Sequence, residues 1–279
     1  MIASALTHAA PVVALSGAGW GGVGVSTIVL VVVAGLLAGW VDAVVGGGGL
    51  IQLPAMLLVP GISPVQALAT NKMGSVFGTT TSAVTYARRV HPDLRTAVPM
   101  ALVAGLAAVG GAGVATVLPA SVFKPIILAA LIVVLSFTLV KRSAGLATKL
   151  KYHGRRHYLT ALVIGGVIGF YDGLIGPGTG SFLVIALVSA LGYSFLDGSA
   201  KAKIVNLATN VGALALFVPT AHVLWGIGLI LGLSNMVGGY LGSRMAVSRG
   251  SGFVRVVFVV VVLALIVKLG FDVYSDWTA

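Results

Sequence analysis

The fold of this chain is most constrained by its long runs of apolar residues. A helix of about twenty apolar residues crosses the roughly 30 Å of hydrocarbon in a bilayer. Runs of this length lie near 26–45, 96–118, 158–176, 225–243 and 253–270. Slightly shorter runs lie near 72–87, 124–140 and 201–218. Only 8% of the residues are charged, whereas a soluble domain has about a quarter. The sequence therefore predicts an integral membrane protein.

The predicted fold class is all-α. No segment alternates apolar with polar residues in the roughly ten-residue units of an outer-membrane barrel. Two apolar pieces, 50–60 and 180–192, are too short to cross the bilayer as straight helices. We expect these pieces to be broken or re-entrant helices, and the whole chain to contain about eight to ten transmembrane segments.

Positive charge sets the expected orientation of the chain. Twelve of its 17 Lys and Arg residues fall in three segments, 88–95, 141–156 and 244–255. Cytoplasmic loops of membrane proteins are enriched in these two residue types. The three segments are therefore predicted to face the cytoplasm, which places both termini outside. Cytoplasmic loops also account for the net charge of +11, so no nucleic-acid partner is expected.

The two halves of the chain carry the same pattern. The segment 39–48 (Gly-Trp-Val-Asp, a spacer, Gly-Gly-Gly) matches 169–178 (Gly-Phe-Tyr-Asp, a spacer of the same length, Gly-Pro-Gly), so that Asp42 corresponds to Asp172. In a register shifted by a single position, the triplet Lys72, Ser75 and Thr79 matches Lys203, Asn206 and Asn210. A competing register, which aligns the repeated Leu-Ala-Thr-Asn at 68–71 and 207–210, breaks the Asp-to-Lys spacing. Because equivalent loops differ in positive charge, we expect two repeats of inverted topology.

This repeat divides the chain into five predicted parts. They are a flexible or interfacial lead-in at 1–25, a first transmembrane repeat at 26–140, a basic cytoplasmic linker at 141–157, a second transmembrane repeat at 158–270 and a tail at 271–279.

The glycine-rich segments 46–49 and 176–180 are where helices are expected to break. Unwound backbone is tolerated in a membrane only inside protein or beside a water-filled cavity. Secondary transporters combine inverted repeats with broken helices around a site near the midplane. We therefore expect a binding cavity that includes Gly47, Gly48, Gly178 and Thr179. The alternative is that the glycines only allow close helix packing.

Polar residues follow each break and are the candidate ligands of an anion. They are Thr70, Asn71, Lys72, Ser75 and Thr79 in the first half, and Lys203, Asn206 and Asn210 in the second. We expect each group to lie at a helix start, where free N–H groups and the helix dipole attract anions. A lysine inside a span is usually functional, although it can also snorkel to headgroups. The amides and Thr70 could instead join helices.

Three further charged residues are candidates for coupling or gating. Asp42 and Asp172 occupy equivalent positions just before the two breaks. Each could take up a proton, or form an ion pair with the lysine of its own half, Asp42 with Lys72 and Asp172 with Lys203. Arg244 could gate the cavity or cap a cytoplasmic helix end, and its position in a basic loop already accounts for it.

Several of these stretches resemble the sulfite exporter TauE/SafE family, of the toluene sulfonate uptake permease group. The similar stretches are 39–54 with its glycine run, 64–72 with Thr-Asn-Lys, 78–79, 241–244 with Gly-Ser-Arg, and 253–255. The likeness extends from about residue 30 to 270. It implies a multi-pass carrier in the bacterial cytoplasmic (inner) membrane. Such carriers move small sulfur-containing or organic anions, often in export of sulfite or sulfonates.

The expected function is therefore secondary transport of small oxyanions such as sulfite, sulfonate or sulfoacetate, by alternating access. The expected partners are the anion and membrane lipids, while a coupled proton or sodium ion and a homodimer stay open. No cofactor or metal is inferred, since the chain has no cysteine and its histidines lack metal-ligand spacing. The alternatives are an anion channel with the same site, or an intramembrane enzyme that uses Asp42 and Asp172 as a dyad. The enzyme is disfavoured because no catalytic motif accompanies the aspartates.

Overall fold

The computed structural model describes residues 24–117, 119, 147–220 and 222–278. Every regular element within these ranges is a helix, which confirms the all-α prediction. The expected lead-in before residue 24 and the expected helix at 124–140 lie outside the described residues.

Nine α-helices and one π-helical turn follow one another in the described chain once a break at Gly250 is counted. The first half contains α1 (Val25–Val45), α2 (Gly49–Leu57), α3 (Pro64–Val90) and α4 (Leu94–Ala115). The second half contains α5 (Gly154–Leu174), α6 (Thr179–Ala186), a π-helical turn (Leu187–Leu191) and α7 (Phe195–Phe217). The last stretch, Trp225–Thr278, is divided at Gly250 (φ 73°, ψ −172°) into α8 (225–249) and α9 (251–278).

The order of helices repeats between the halves. Helices α5, α6, α7 and α8 follow α1, α2, α3 and α4, respectively, at a nearly constant distance along the chain. In both halves a long helix is followed by a short one and then by another long one. This spacing agrees with the register that aligns Asp42 with Asp172 and not with the one given by the repeated Leu-Ala-Thr-Asn.

Helices α3 and α7 begin well before the expected 72 and 201. Ser63 starts α3 with a capping box, because its Oγ accepts from the Gln66 backbone N–H at 3.2 Å and the Gln66 side chain accepts from the Ser63 N–H at 3.0 Å. Ser194 Oγ caps α7 by accepting from the Asp197 N–H at 3.0 Å. The prediction that the polar groups lie at helix starts is therefore wrong. Lys72 and Lys203 are each the ninth residue of their helix.

Apolar side chains cover the outside of the helices. In the part of the chain that the structure describes, α1, α4 and α5 are long and apolar enough to cross a membrane. One side of α1 exposes Val29, Val33 and Leu37, which follow each other at four-residue spacing. Buried positions, in contrast, hold many polar groups, among them Lys72 and Lys203. An apolar exterior around a polar interior suits contact with lipid.

The fourth helix of each half packs against the other half. Helix α4 packs mainly on α5 and α7 of the second half, while α8 packs on α1 and α3 of the first. Glycines permit the close approach, because a Cβ on Gly39 would lie 2.2 Å from the Asn235 carbonyl oxygen and one on Gly173 would lie 2.0 Å from that of Ala108. Small residues at such interfaces are typical of membrane helices. Gly39 and Gly173, which lie before the two predicted breaks, therefore serve close helix packing.

Candidate functional site

The two predicted helix breaks exist and touch each other. Helix α1 ends at Val45 and α2 begins at Gly49, while α5 ends at Leu174 and α6 begins at Thr179. Gly46 (φ 81°) and Gly178 (φ 85°) adopt the left-handed conformation that favours glycine. The Ser181 N–H donates to the Gly46 carbonyl oxygen at 3.1 Å. Each half therefore brings its unwound segment to the same point.

A small polar cavity lies where the breaks meet. Nine of the fifteen predicted site residues line it: Asp42, Asn71, Lys72, Ser75, Asp172, Gly178, Thr179, Asn206 and Asn210. Gly46, Gly49, Gly176 and Gly180 complete the lining. The cavity measures about 20 Å³, which holds about one water molecule. An oxyanion would need a larger space than this.

Two buried ion pairs cross between the halves. Lys72 Nζ lies 2.7 Å from Asp172 Oδ1, and both side chains are 2% exposed. Lys203 Nζ lies 2.7 Å from Asp42 Oδ2, with side-chain exposures of 1% and 14%. The alternative in which each aspartate pairs with the lysine of its own half is therefore wrong. Because the breaks meet at the centre, the end of each interrupted helix reaches the long helix of the opposite half.

Two acceptor atoms in the cavity residues have no hydrogen-bond partner. Among the described residues, four buried side-chain N or O atoms are unpaired, and Asn71 Oδ1 and Asp172 Oδ2 are two of them. A buried acceptor without a donor has lost its hydrogen bonds to water and has gained none in the folded protein, which lowers stability. A ligand or protonated group that donates hydrogen bonds would therefore stabilise this side of the cavity.

Three of the remaining predicted residues are Lys203, Thr70 and Thr79, which do not line the cavity. Lys203 forms an ion pair with Asp42, which does line the cavity. Thr70 Oγ1 accepts from the Leu224 N–H at 3.0 Å, and Thr79 Oγ1 donates to the Ser75 carbonyl oxygen at 2.7 Å. The hydroxyl groups of both threonines thus form hydrogen bonds with the backbone.

Three further candidates also lie outside the cavity lining. Gly47 and Gly48 belong to the break, and a Cβ on Gly48 would lie 2.5 Å from the Asp42 Cβ. Arg244 is exposed, and its Nη1 donates to the Tyr240 hydroxyl oxygen at 3.0 Å. Its partner lies one turn earlier on α8.

A buried amide network beside the cavity was missed from the sequence. Asn235 Nδ2 donates to Gln52 Oε1 at 2.6 Å, and Gln52 Nε2 donates to the Asn71 carbonyl oxygen at 3.2 Å. These contacts join α2, α3 and α8. Single amides inside the apolar runs 50–60 and 225–243 are the signal that could have identified the network.

A second polar cluster joins α4, α5 and α7 near the basic segments. Lys201 Nζ donates to the Asp93 carbonyl oxygen at 2.9 Å, and Thr96 Oγ1 donates to Asp93 Oδ2 at 2.6 Å. His157 Nε2 lies 3.2 Å from Thr96 Oγ1 and 3.0 Å from the Tyr193 hydroxyl oxygen. Partial burial raises the pKa of Asp93, but the Thr96 hydrogen bond and the Lys201 charge outweigh it, so this pKa lies below its usual range.

Comparisons with known proteins agree with these features. The family described as "Sulfite exporter TauE/SafE" matches residues 30–269. A "Probable membrane transporter protein ORF9" from Sinorhizobium sp is 39% identical over 238 residues, which cover 85% of this chain and 90% of that protein. The "Probable membrane transporter protein YfcA" of Escherichia coli strain K12 is 32% identical over 242 residues, 86% of this chain and 88% of that protein.

A "Probable membrane transporter protein" from Haemophilus influenzae is 28% identical over 253 residues, 90% of this chain and 97% of that protein. No solved structure matches the chain. The family match covers most of the chain and includes both helix breaks and both ion pairs. The chain therefore belongs to the sulfite exporter TauE/SafE family and is a membrane transporter.

Proposed function

We propose that this transporter carries small oxyanions, such as sulfite or sulfonates, by alternating access around the central cavity. The observation that carries the proposal is that each half contributes one buried lysine to the same cavity region, Lys72 directly and Lys203 through Asp42. A cation inside a membrane protein is costly unless it has a partner or a function. An anionic substrate would be an alternative partner for both ammonium groups.

The cavity lining suits an oxyanion. The Ser75 hydroxyl and the Asn206 and Asn210 amides can donate hydrogen bonds to oxygen atoms that carry negative charge. Helices α2 and α6 also begin at the cavity, with Gly49 and Thr179 in its lining. The N–H groups of Leu50, Thr179 and Ser181 in these first turns already donate to backbone carbonyls. The two helix starts would therefore attract an anion mainly through the positive ends of their dipoles, in place of the starts expected at the polar groups of α3 and α7.

The closed geometry favours a carrier over a channel. A space of about 20 Å³ is too small for any anion of the expected class. Substrate entry therefore requires the helix breaks and the ion pairs to separate. A carrier opens its site to one side at a time by moving one bundle against the other. A channel would need a continuous path for the anion.

Export across the bacterial cytoplasmic membrane is the direction that we propose. The family is described as a sulfite exporter, and the names of the relatives state only that they are probable membrane transporters. The basic segments would face the cytoplasm and the termini the outside. The two repeats, 26–140 and 158–270, would be inverted relative to each other.

Counterflow in proteoliposomes tests the proposal. Purified protein is reconstituted with unlabelled sulfite or methanesulfonate inside, and uptake of the same labelled anion is measured. We expect the exchange rate of the Lys72→Ala, Lys203→Ala double variant to be lower than that of the wild type by more than about tenfold. A factor of ten corresponds to a loss of only about 1.4 kcal/mol of binding free energy. Lys149→Ala removes an exposed lysine and is the matched control.

Three outcomes decide the proposal. Normal exchange by the folded double variant would reject the lysine site. Anion flux that carries current and is not accelerated by unlabelled anion on the opposite side would indicate a channel. If the double variant does not fold, the Lys72→Met, Asp172→Asn variant removes both charges of one pair and is expected to lose exchange for the same reason.

A further inference from the structure

The charges of the central site cancel one another. Lys72 and Lys203 each contact one aspartate at 2.7 Å, and all four side chains lie at the junction of the two helix breaks. The closed site is therefore neutral. An anion that enters adds one negative charge, and an uncompensated charge in a buried site costs several kcal/mol. The anion therefore needs a second, positive charge to enter with it.

Asp172 is placed to receive that charge as a proton. Its Oδ1 accepts from Lys72, whereas its Oδ2 is buried without a hydrogen-bond partner among the described residues. Asp172 also lines the cavity directly. Protonation of Oδ2 would turn an unpaired acceptor into a hydrogen-bond donor and would release Lys72 from its ion pair. The Asp42 side chain is more exposed, at 14% against 2%.

No other titratable group around Asp172 competes for this role. Tyr171, its neighbour on α5, donates its hydroxyl to the Pro177 carbonyl oxygen at 2.8 Å. Asp42 and Lys203, from α1 and α7, are engaged with each other. In the described lining, α6 contributes Thr179 and no charged group, and α4 contributes no residue. A metal cation at Oδ2 would be repelled by the Lys72 ammonium on the same carboxylate, whereas a proton neutralises the carboxylate.

We propose that the transporter moves one proton together with each monovalent anion, and that Asp172 carries the proton. The inference rests on the proposed function. A proton from water adds to Asp172 Oδ2, the carboxylate becomes a carboxylic acid, and the Lys72 ammonium binds the anion. On release, the carboxylic acid returns its proton to water and the ion pair with Lys72 forms again. Because the step is electroneutral, export then runs down the combined gradients of the anion and the proton, and an acidic exterior opposes it.

The test measures protons and anions together in proteoliposomes that contain the full chain and a pH-sensitive dye, with the membrane potential clamped. Methanesulfonate is the main probe, because it stays ionised and brings no proton of its own. An inward gradient of methanesulfonate should acidify the wild-type lumen by about one proton per anion, as charge compensation requires. The ratio of protons to anions should fall towards zero in Asp172→Asn and stay unchanged in Asp197→Asn, which removes a carboxylate outside the cavity lining. If only sulfite is exchanged, the ratio in Asp172→Asn should be lower by about one.

Each alternative result rejects one part of the proposal: the role of Asp172, the coupling to protons, or transport itself. An unchanged ratio in Asp172→Asn, a loss in Asp42→Asn alone, or a dependence on sodium in place of protons rejects the role of Asp172. Net methanesulfonate uptake by the wild type without proton movement rejects the coupling and leaves the transport function standing. Absence of any wild-type exchange rejects the proposed function itself.

A measurement on the wild type keeps the inference testable if Asp172→Asn does not fold. Adding methanesulfonate to the purified protein in weakly buffered detergent solution should remove about one proton per chain from the solvent. Chloride at the same concentration controls for ionic strength. No uptake of protons on addition of methanesulfonate would overturn the inference.

Discussion

At the scale of single residues, charge identified the site and geometry selected the partners. Lys72, Lys203, Asp42 and Asp172 were predictable because each ionisable group inside an apolar helix has a high cost. The pairing was not predictable, because it depends on the contact between two breaks that lie in opposite halves of the chain. Thr79 lies on the same helical stripe as Lys72 and Ser75, yet its hydroxyl bonds to the backbone of α3 itself.

The buried pair between Lys72 and Asp172 should behave as one unit in unfolding experiments. Lys72→Met leaves a buried carboxylate unpaired, and Asp172→Asn leaves a buried ammonium unpaired, so each should lower the free energy of unfolding by about 3–5 kcal/mol. The double variant leaves no net charge and should lose much less than the sum. Denaturant titration of the purified proteins measures all three values, with the exposed Lys149→Met as control. Additive losses would show that the two side chains are not coupled.

At the scale of helices, the sequence predicted the breaks better than the starts. Runs of glycine are a direct signal of unwound backbone, and α1 and α5 end where these runs begin. The start of α3 was misplaced because the polar residues at 70–72 resemble the first turn of a helix. The better signal was the sequence Ser63-Pro-Val-Gln66, which fits both a capping box and a proline at the first helical position.

Glycines at the interface between α4 and α5 should tolerate no side chain. A Cβ on Gly111 would lie 2.0 Å from the Phe170 carbonyl oxygen, a backbone atom that cannot rotate away, whereas a Cβ on Gly113 would meet nothing within 4 Å. Gly111→Ala should therefore lower the free energy of unfolding by about 1–3 kcal/mol. Gly113→Ala, on the same helix, should be neutral or stabilising by up to about 1 kcal/mol. Thermal unfolding in detergent compares them, and equal stability of the two variants would contradict this packing.

At the scale of the whole molecule, equivalent contacts join the two halves. Thr70 accepts a hydrogen bond from the backbone of Leu224. In the register that aligns Lys72 with Lys203, Lys201 is the equivalent of Thr70 and Asp93 is the equivalent of Leu224, and Lys201 donates a hydrogen bond to the backbone of Asp93. Each contact fastens one half's long helix to the start of a helix from the other half. The register of the repeat was predictable from motifs. The packing of α4 and α8 on the opposite half was not predictable, because apolar helices with small residues can pack on many partners.

If the repeats are inverted, the loop after α3 and the equivalent loop after α7 must lie on opposite sides of the membrane. The chain has no cysteine, so single cysteines can be labelled without background. Arg89→Cys, in the exposed last turn of α3, should react with a membrane-impermeant maleimide only in inside-out vesicles. Thr220→Cys, exposed after α7, should react in intact cells. Permeabilised membranes, in which both should react, control for accessibility. Labelling of both cysteines from the same side would contradict an inverted arrangement, because a repeat of parallel topology places equivalent loops on one side.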